Sequence, residues 1–210
     1  MFLDYAKRIF RRQVVSTTGG EKPPDYYDEM YSASTEYCKP FWQSRYYFLW
    51  TVICDRLRSG NCRNILEIGC GSGQFAEMLH REGRFDYLGL DISPEAIRQA
   101  SQKQLEPFQF KTGDALESDV ILNHSYDSVV CTEVLEHIEL DRELVQRIRP
   151  GTRCLCTVPN FPYVSHVRHF ESCDQVYERY ANFFQNLNVW AIPGPHGDEI
   201  VYFIADGFRR

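Results

Sequence analysis

The chain has 210 residues, 43% hydrophobic and 25% charged, a balance that supports one well-packed core and excludes a disordered chain or a multi-domain assembly. Its 23 Lys and Arg against 29 Asp and Glu give a net charge of −6, which disfavours nonspecific attraction to nucleic acid. No stretch has the roughly 18 to 20 uncharged apolar residues of a bilayer span, and the N-terminus lacks a secretory core and cleavage site, so the expected location is cytoplasmic.

Residues 1–14 have the spacing of a short amphipathic helix, with Phe2, Ile9 and Phe10 among Lys7, Arg8, Arg11 and Arg12. Contact with a membrane surface is one use for it, and a solvated basic helix is the simpler one. Residues 16–24 read as a linker by composition. The aromatic residues crowd the first 60 positions, and residues 41–57 carry helical apolar spacing. Residues 1–60 are therefore expected to form an aromatic-rich helical cap, with residues 61–210 as the core. The eight cysteines include no CxxC pair and read as reduced thiols, several of them filling the core, with no zinc site.

From residue 61 short apolar runs alternate with amphipathic stretches. Strands are expected at 64–69, 86–91, 108–112, 126–132 and 153–159, and helices at 73–83, 93–104 and 133–148, with a shorter one within 115–123. This alternation argues for an α/β fold, with right-handed βαβ units around a parallel sheet covered by helices on both faces. Strands at 186–193 and 199–206 are separated by a Gly/Pro turn with no room for a crossover helix, so they should be antiparallel neighbours.

The strongest local pattern is a strand running into a glycine-rich turn and then a helix: Glu67, Gly69, Cys70, Gly71 and Gly73, in the form ExGxGxG. Small residues let the backbone approach a ligand, and the helix N-terminus offers unpaired N–H groups. A dinucleotide fingerprint would need glycine at 74, where this chain has Gln74. A carboxylate at Glu67 suits a cationic amino group better than a pyrophosphate. Asp91 ends the second strand, where its two acceptor oxygens could take two hydroxyl donors. Helix or turn capping is the alternative for Asp91 and for Asp114.

These residues together resemble motif I of the class I S-adenosylmethionine-dependent methyltransferases, and the resemblance extends over residues 61–206. It implies a Rossmann-like seven-stranded sheet, five strands parallel plus a C-terminal antiparallel hairpin, and S-adenosyl-L-methionine as cofactor. By the same resemblance the glycine turn with Glu67, Asp91 and Ile92 would hold the methionine and ribose, Asp114 and Ala115 the adenine, and Thr132 and Glu133 the methionine portion. Arg45 resembles the N-terminal arginine by which ubiquinone-pathway O-methyltransferases hold the methionine carboxylate.

Methyl transfer from a sulfonium needs positioning, plus a base when the acceptor is a hydroxyl. His137 is the expected base, placed one turn into a helix beginning near Glu133, with Glu136 or Glu133 orienting it. Glu133, Glu136 and His137 stand at i, i+3 and i+4, and residues 159–170 add His166 and His169. This set resembles the metal site of the small-RNA 3′-end 2′-O-methyltransferases and would suit magnesium or manganese. The same EVLEH string occurs in metal-independent small-molecule members, so the expected site holds no metal. Substrate contacts are expected from His166 and His169, and from Tyr27, Tyr31 and Tyr46 in a segment lying over the cofactor and excluding water. The whole pattern resembles methyltransferases of bacterial surface-sugar and secondary-metabolite pathways, which implies a hydroxyl of a small polar acceptor. The alternatives are a metal-dependent RNA 3′-end 2′-O-methyltransferase and an inactive cofactor-binding partner protein.

Overall fold

A computed structural model describes residues 19–195 and 197–210. The amphipathic helix expected over residues 1–14 lies outside the described residues. The strands are β1 (Asn64–Ile68), β2 (Asp86–Asp91), β3 (Gln109–Thr112), β4 (Ser128–Thr132), β5 (Arg153–Pro159), β6 (Phe184–Gly194) and β7 (Gly197–Arg209). They form one seven-stranded sheet in the order β3-β2-β1-β4-β5-β7-β6. The first five strands run parallel, and β7 lies antiparallel to both β5 and β6. This is the architecture the sequence pattern implies, with β2 and β5 ending at the expected residues.

The central strands carry apolar side chains on both faces, as strands buried between two helical layers must. Leu66, Ile68, Val129, Cys131, Cys154 and Cys156 point to one face, where they pack with Leu144, Val145, Val176 and Tyr180. Those four residues belong to α6 (Asp141–Arg147) and α7 (Cys173–Tyr180). Ile65, Val130 and Leu155 point to the other face, against Trp50, Ile53, Cys54 and Leu57 of α2 (Tyr47–Ser59) and Phe75, Ala76 and Leu79 of α3 (Gln74–Glu82). The order reverses between β1 and β4, so the turns leaving these two strands open a crevice at the C-terminal edge of the sheet, where open α/β folds bind ligands. Among the described residues no helix is long and apolar enough to cross a membrane.

Four local differences from the sequence pattern bear on the site. First, the helix expected over 133–148 is only α6. Glu133 has a left-handed φ of 57°, and residues 134–137 make a single turn closed by His137 N–H to Val134 O at 2.9 Å. Second, the run at 41–57 is broken at Ser44, whose extended backbone separates a 3-10 turn (Phe41–Gln43) from α2, so Arg45 falls in the intervening turn. Third, α2, which precedes the boundary expected at residue 60, packs into the core, with Leu49, Trp50, Ile53, Cys54 and Leu57 all buried. Fourth, α7 lies in a stretch given no element from sequence. It is short and polar, with Val176 and Tyr180 as its only buried residues, and is started by the Ser172 side chain accepting from Gln175 N–H.

The segment left to cover the crevice is α1 (Pro24–Ala33), followed by a 3-10 turn (Thr35–Cys38). Pro at its first position starts α1. None of its residues is fully buried, so it adheres through polar contacts and its tyrosines more than through a hydrophobic face.

Candidate active site

The glycine turn after β1 has three left-handed residues, Gly69, Gly71 and Gly73, with φ of 74°, 52° and 73°. At two of them a side chain has no room. A Cβ on Gly69 would lie 2.2 Å from a methyl of Val134, and a Cβ on Gly71 would lie 2.7 Å from the Tyr31 hydroxyl. The turn is thus pressed between the segment leaving β4 and the α1 cap. Asp91 closes it from β2: its Oδ2 accepts from Gly71 N–H at 2.8 Å and its Oδ1 from Ser93 N–H at 2.9 Å. Burial pushes the Asp91 carboxyl up to about 6, and the two amide bonds oppose that rise. Ile92 follows it, half-buried.

Glu67 points into the sheet, 2% exposed, and accepts from the Tyr87 hydroxyl on β2. Burial pushes its carboxyl up to about 8. Cys70 is buried beside it. Asp114 follows β3 and accepts from Leu116 N–H at 2.8 Å, the capping arrangement weighed from sequence, with Ala115 buried next to it. Thr132 ends β4, and the Glu133 carboxylate accepts from the Thr157 hydroxyl at 2.8 Å.

The cap is pinned to both sides of this turn. Asp28 Oδ1 accepts from the Ser93 hydroxyl and from Glu95 N–H at 3.0 Å, so it caps α4 (Pro94–Gln102) from across the chain. Gln99 donates to Tyr31 O, Ser72 to Tyr37 O, and Gln74 to Glu36 O and Lys39 O. Tyr31, expected as a substrate contact, therefore lies on the glycine turn. Arg45 is exposed, its guanidinium 6.0 Å from the Tyr46 ring.

On the far side of the crevice, Glu136, His137 and His166 bring their ligand atoms within 4.8 Å of one another. Glu136 is fully buried, and neither of its carboxylate oxygens has a hydrogen-bond partner. His137 Nδ1 donates to Ser165 O at 2.9 Å and His166 Nδ1 to Phe161 O at 3.0 Å. A carbonyl can only accept, so both rings carry their proton on Nδ1 and leave the Nε2 lone pair free. His137 Nε2 stands 3.7 Å from Glu136 Oε1, and the two rings are 4.8 Å apart. Burial raises the Glu136 carboxyl and lowers both imidazoles, His166 to about 4. His169 is exposed and stays outside this group. Glu133, bonded to Thr157, is also outside it, so three of the five residues that the resemblance joins come together.

Tyr27 bridges the two halves. Its ring meets His137 edge-on at 6.1 Å, and its buried hydroxyl, raised first by burial, also senses Glu136 and Asp91. Tyr46 packs edge-on against Tyr202 at 6.1 Å. Sequence reasoning missed Tyr202, Thr157 and Asp28, and it placed Arg168 in the 159–170 loop at this edge of the sheet without a role. Thr157 alone had a local signal, as a polar residue inside an apolar strand. Tyr202 reaches the site because β7 pairs it with Pro159 at the end of β5, a register no single stretch encodes.

Residues 66–154 match the family model for a methyltransferase domain. The ubiquinone biosynthesis O-methyltransferase of Yersinia pestis (strain Pestoides F) is 35% identical over a match covering 45% of this chain and 42% of that protein. The chain therefore spans less than half the length of the curated relatives it matches. Among solved structures, the methyltransferase domain of bacterial CtHen1-C aligns with a TM-score of 0.62 at 14% identity, over 77% of this chain and 97% of that one. The N-methyltransferase NodS from Bradyrhizobium japonicum WM9, in complex with S-adenosyl-L-homocysteine, aligns with a TM-score of 0.59 at 23% identity, over 73% and 81%. Identities at this level establish a shared fold. Taken with the methyltransferase-domain match over residues 66–154, they give this chain the methyltransferase fold that its strand order and ExGxGxG turn imply.

Proposed function

We propose that this protein transfers a methyl group from S-adenosyl-L-methionine to a hydroxyl of a small polar acceptor held at Glu136, His137 and His166. The observation that carries the acceptor half is the buried Glu136 carboxylate, both oxygens unpartnered, beside two imidazoles whose Nε2 atoms are free. The other half fits the cofactor: a left-handed turn that a Cβ at Gly71 would obstruct, a carboxylate at Asp91 tied to that turn, and Asp114 at the end of β3. Gly69, Cys70, Gly71 and Gly73 with Glu67, Asp91, Ile92, Asp114, Ala115, Thr132 and Glu133 would hold it, and it supplies an electrophilic methyl whose leaving group needs no proton.

What remains for the chain is to place the hydroxyl and deal with its proton. The Glu136 cluster offers only acceptor atoms, and such a set is satisfied by a proton or by a cation. Two imidazole nitrogens with one carboxylate suit a divalent first-row transition ion, manganese or one of its neighbours, better than magnesium, and such an ion would lower the pKa of a bound hydroxyl. Ser165 and Phe161 hold the two rings in the required tautomer. Tyr27 and Tyr46 wall the crevice and exclude water. A cytoplasmic location belongs to this reading, supported by eight unpaired cysteines, six of them buried.

The test is methyl transfer from labelled cofactor to a panel of sugars, hydroxylated small metabolites and short RNAs, with and without a chelator, together with metal analysis of the purified protein. Transfer to a small hydroxylated acceptor that stops on chelation and returns with manganese is expected. Transfer that survives chelation and is abolished by His137→Ala makes His137 a general base with no metal. The same cluster favours a second reading, methylation at an RNA 3′ end, which transfer to RNA alone would select. Cofactor binding with no acceptor in the panel supports a non-catalytic partner protein.

A further inference from the structure

The structure assigns Arg168 as a positioning residue that sets the convergence of Glu136, His137 and His166; the assignment rests on the cation-binding reading of that cluster. Glu136 and His137 lie on the segment leaving β4, and His166 lies on the loop after β5. Two irregular segments have no hydrogen-bond ladder of their own to fix their relative position, so something else must.

That role falls to residues 165–168. The Arg168 guanidinium donates through Nη1 to Leu135 O and Ile138 O and through Nη2 to Glu139 O, carbonyls that flank Glu136 and His137 on both sides. The amides of Val167 and Arg168 donate to Glu136 O at 2.8 and 3.4 Å, and His137 Nδ1 donates back to Ser165 O. In the helix that the apolar spacing of 133–148 predicts, these carbonyls would be taken by amides four residues on. Glu139 N–H instead donates to Glu21 Oε2 at 2.8 Å, outside the turn. The helix is exchanged for a staple between the two segments that carry the cluster.

Arg168 is itself fixed. Its Nη1 lies 3.5 Å from Asp141 Oδ2, and Asp141, fully buried, also accepts two bonds from Arg179 and one from the Tyr180 hydroxyl, each 2.7 Å. A planar fork with several donors can serve three carbonyls and a carboxylate at once, which a single ammonium cannot. None of these contacts reaches the glycine turn or Asp91. Loss of Arg168 should therefore loosen the cluster and leave the cofactor half as it was.

The experiment titrates the full-length protein with Co2+ in the presence of S-adenosylhomocysteine, following cobalt by its visible absorption and S-adenosylhomocysteine separately by calorimetry. Arg168→Ala is expected to weaken cobalt binding tenfold or more while S-adenosylhomocysteine affinity stays within twofold, and Arg168→Lys to fall between it and the wild type. If the alanine variant does not fold, the lysine variant reads the same comparison. Cobalt affinity equal to wild type in either folded variant overturns the role of Arg168, and so does a parallel loss of S-adenosylhomocysteine affinity. A wild type that takes up no cobalt overturns the cation reading beneath it, an outcome distinguishable from the other two.

Discussion

Glu67 sits in β1 with its carboxyl against the Tyr87 hydroxyl, and its environment is apolar: Ile65, Cys70 and Phe108 share its face of the sheet. Burial holds its pKa at about 8, against an ordinary 4.5. Between those two values the folded protein keeps a proton that the unfolded chain has released, so stability falls as pH rises through this window and levels off above about 8. Glu67→Gln keeps an acceptor for Tyr87 and has no proton to lose. Its melting temperature should fall less between pH 5 and 8 than that of the wild type, measured without cofactor; parallel curves would contradict the assignment. If Glu67 also meets the cationic amino group of the cofactor, S-adenosylhomocysteine affinity should rise over the same window in the wild type and stay flat in the variant. The glycines, Glu67 and Asp91 were legible as residue types at a fixed spacing. The Tyr87 bond was not, because it depends on the β1–β2 register, which pairs Glu67 with Gly89 and so brings Tyr87 alongside.

Elements fold here by two kinds of rule, and only one is written locally. The strands follow apolar runs closely, and α3 and α4 follow their amphipathic spacing. The run at 133–148 has equally good spacing, yet its first half is a turn, because the Arg168 guanidinium and the Val167 and Arg168 amides, some 30 residues away, take its carbonyls. The α1 cap depends on similarly distant partners. Asp28 caps α4 through Ser93 and Glu95, and removing a cap of this kind with a charge-assisted bond costs about 1–2 kcal/mol. If α1 must lift to release ligand from the glycine turn, Asp28→Ala should speed S-adenosylhomocysteine dissociation by roughly five- to thirtyfold, the equivalent of that energy. Stopped-flow displacement reads this directly, and an unchanged rate would mean that ligand leaves by another route.

At the scale of the molecule, the aromatic-rich N-terminal third serves two purposes that composition alone could not separate. Residues 24–39 lie over the crevice through polar bonds to Ser72, Gln74, Ser93 and Gln99, with Tyr31 on the glycine turn. Residues 41–59 belong to the core: Phe41, Trp50, Ile53 and Leu57 pack with Phe75, Leu79, Val130 and Leu155 beneath the sheet. Burying Leu49, Trp50, Ile53 and Leu57 contributes roughly 6–12 kcal/mol by transfer energies of about 1.5–3 kcal/mol each, comparable with the whole 5–15 kcal/mol stability typical of a domain. Two truncations should therefore behave differently. A chain starting at residue 41 keeps every one of those core contacts and should fold cooperatively, with its melting temperature lowered by a few degrees and its S-adenosylhomocysteine affinity reduced at least tenfold for want of the cap. A chain starting at residue 61 exposes the apolar face of the sheet beneath α2, and should be insoluble or lack a cooperative melt. Equal behaviour of the two would place the division between cap and core at residue 60, where composition alone puts it, and would remove α2 from the account of stability.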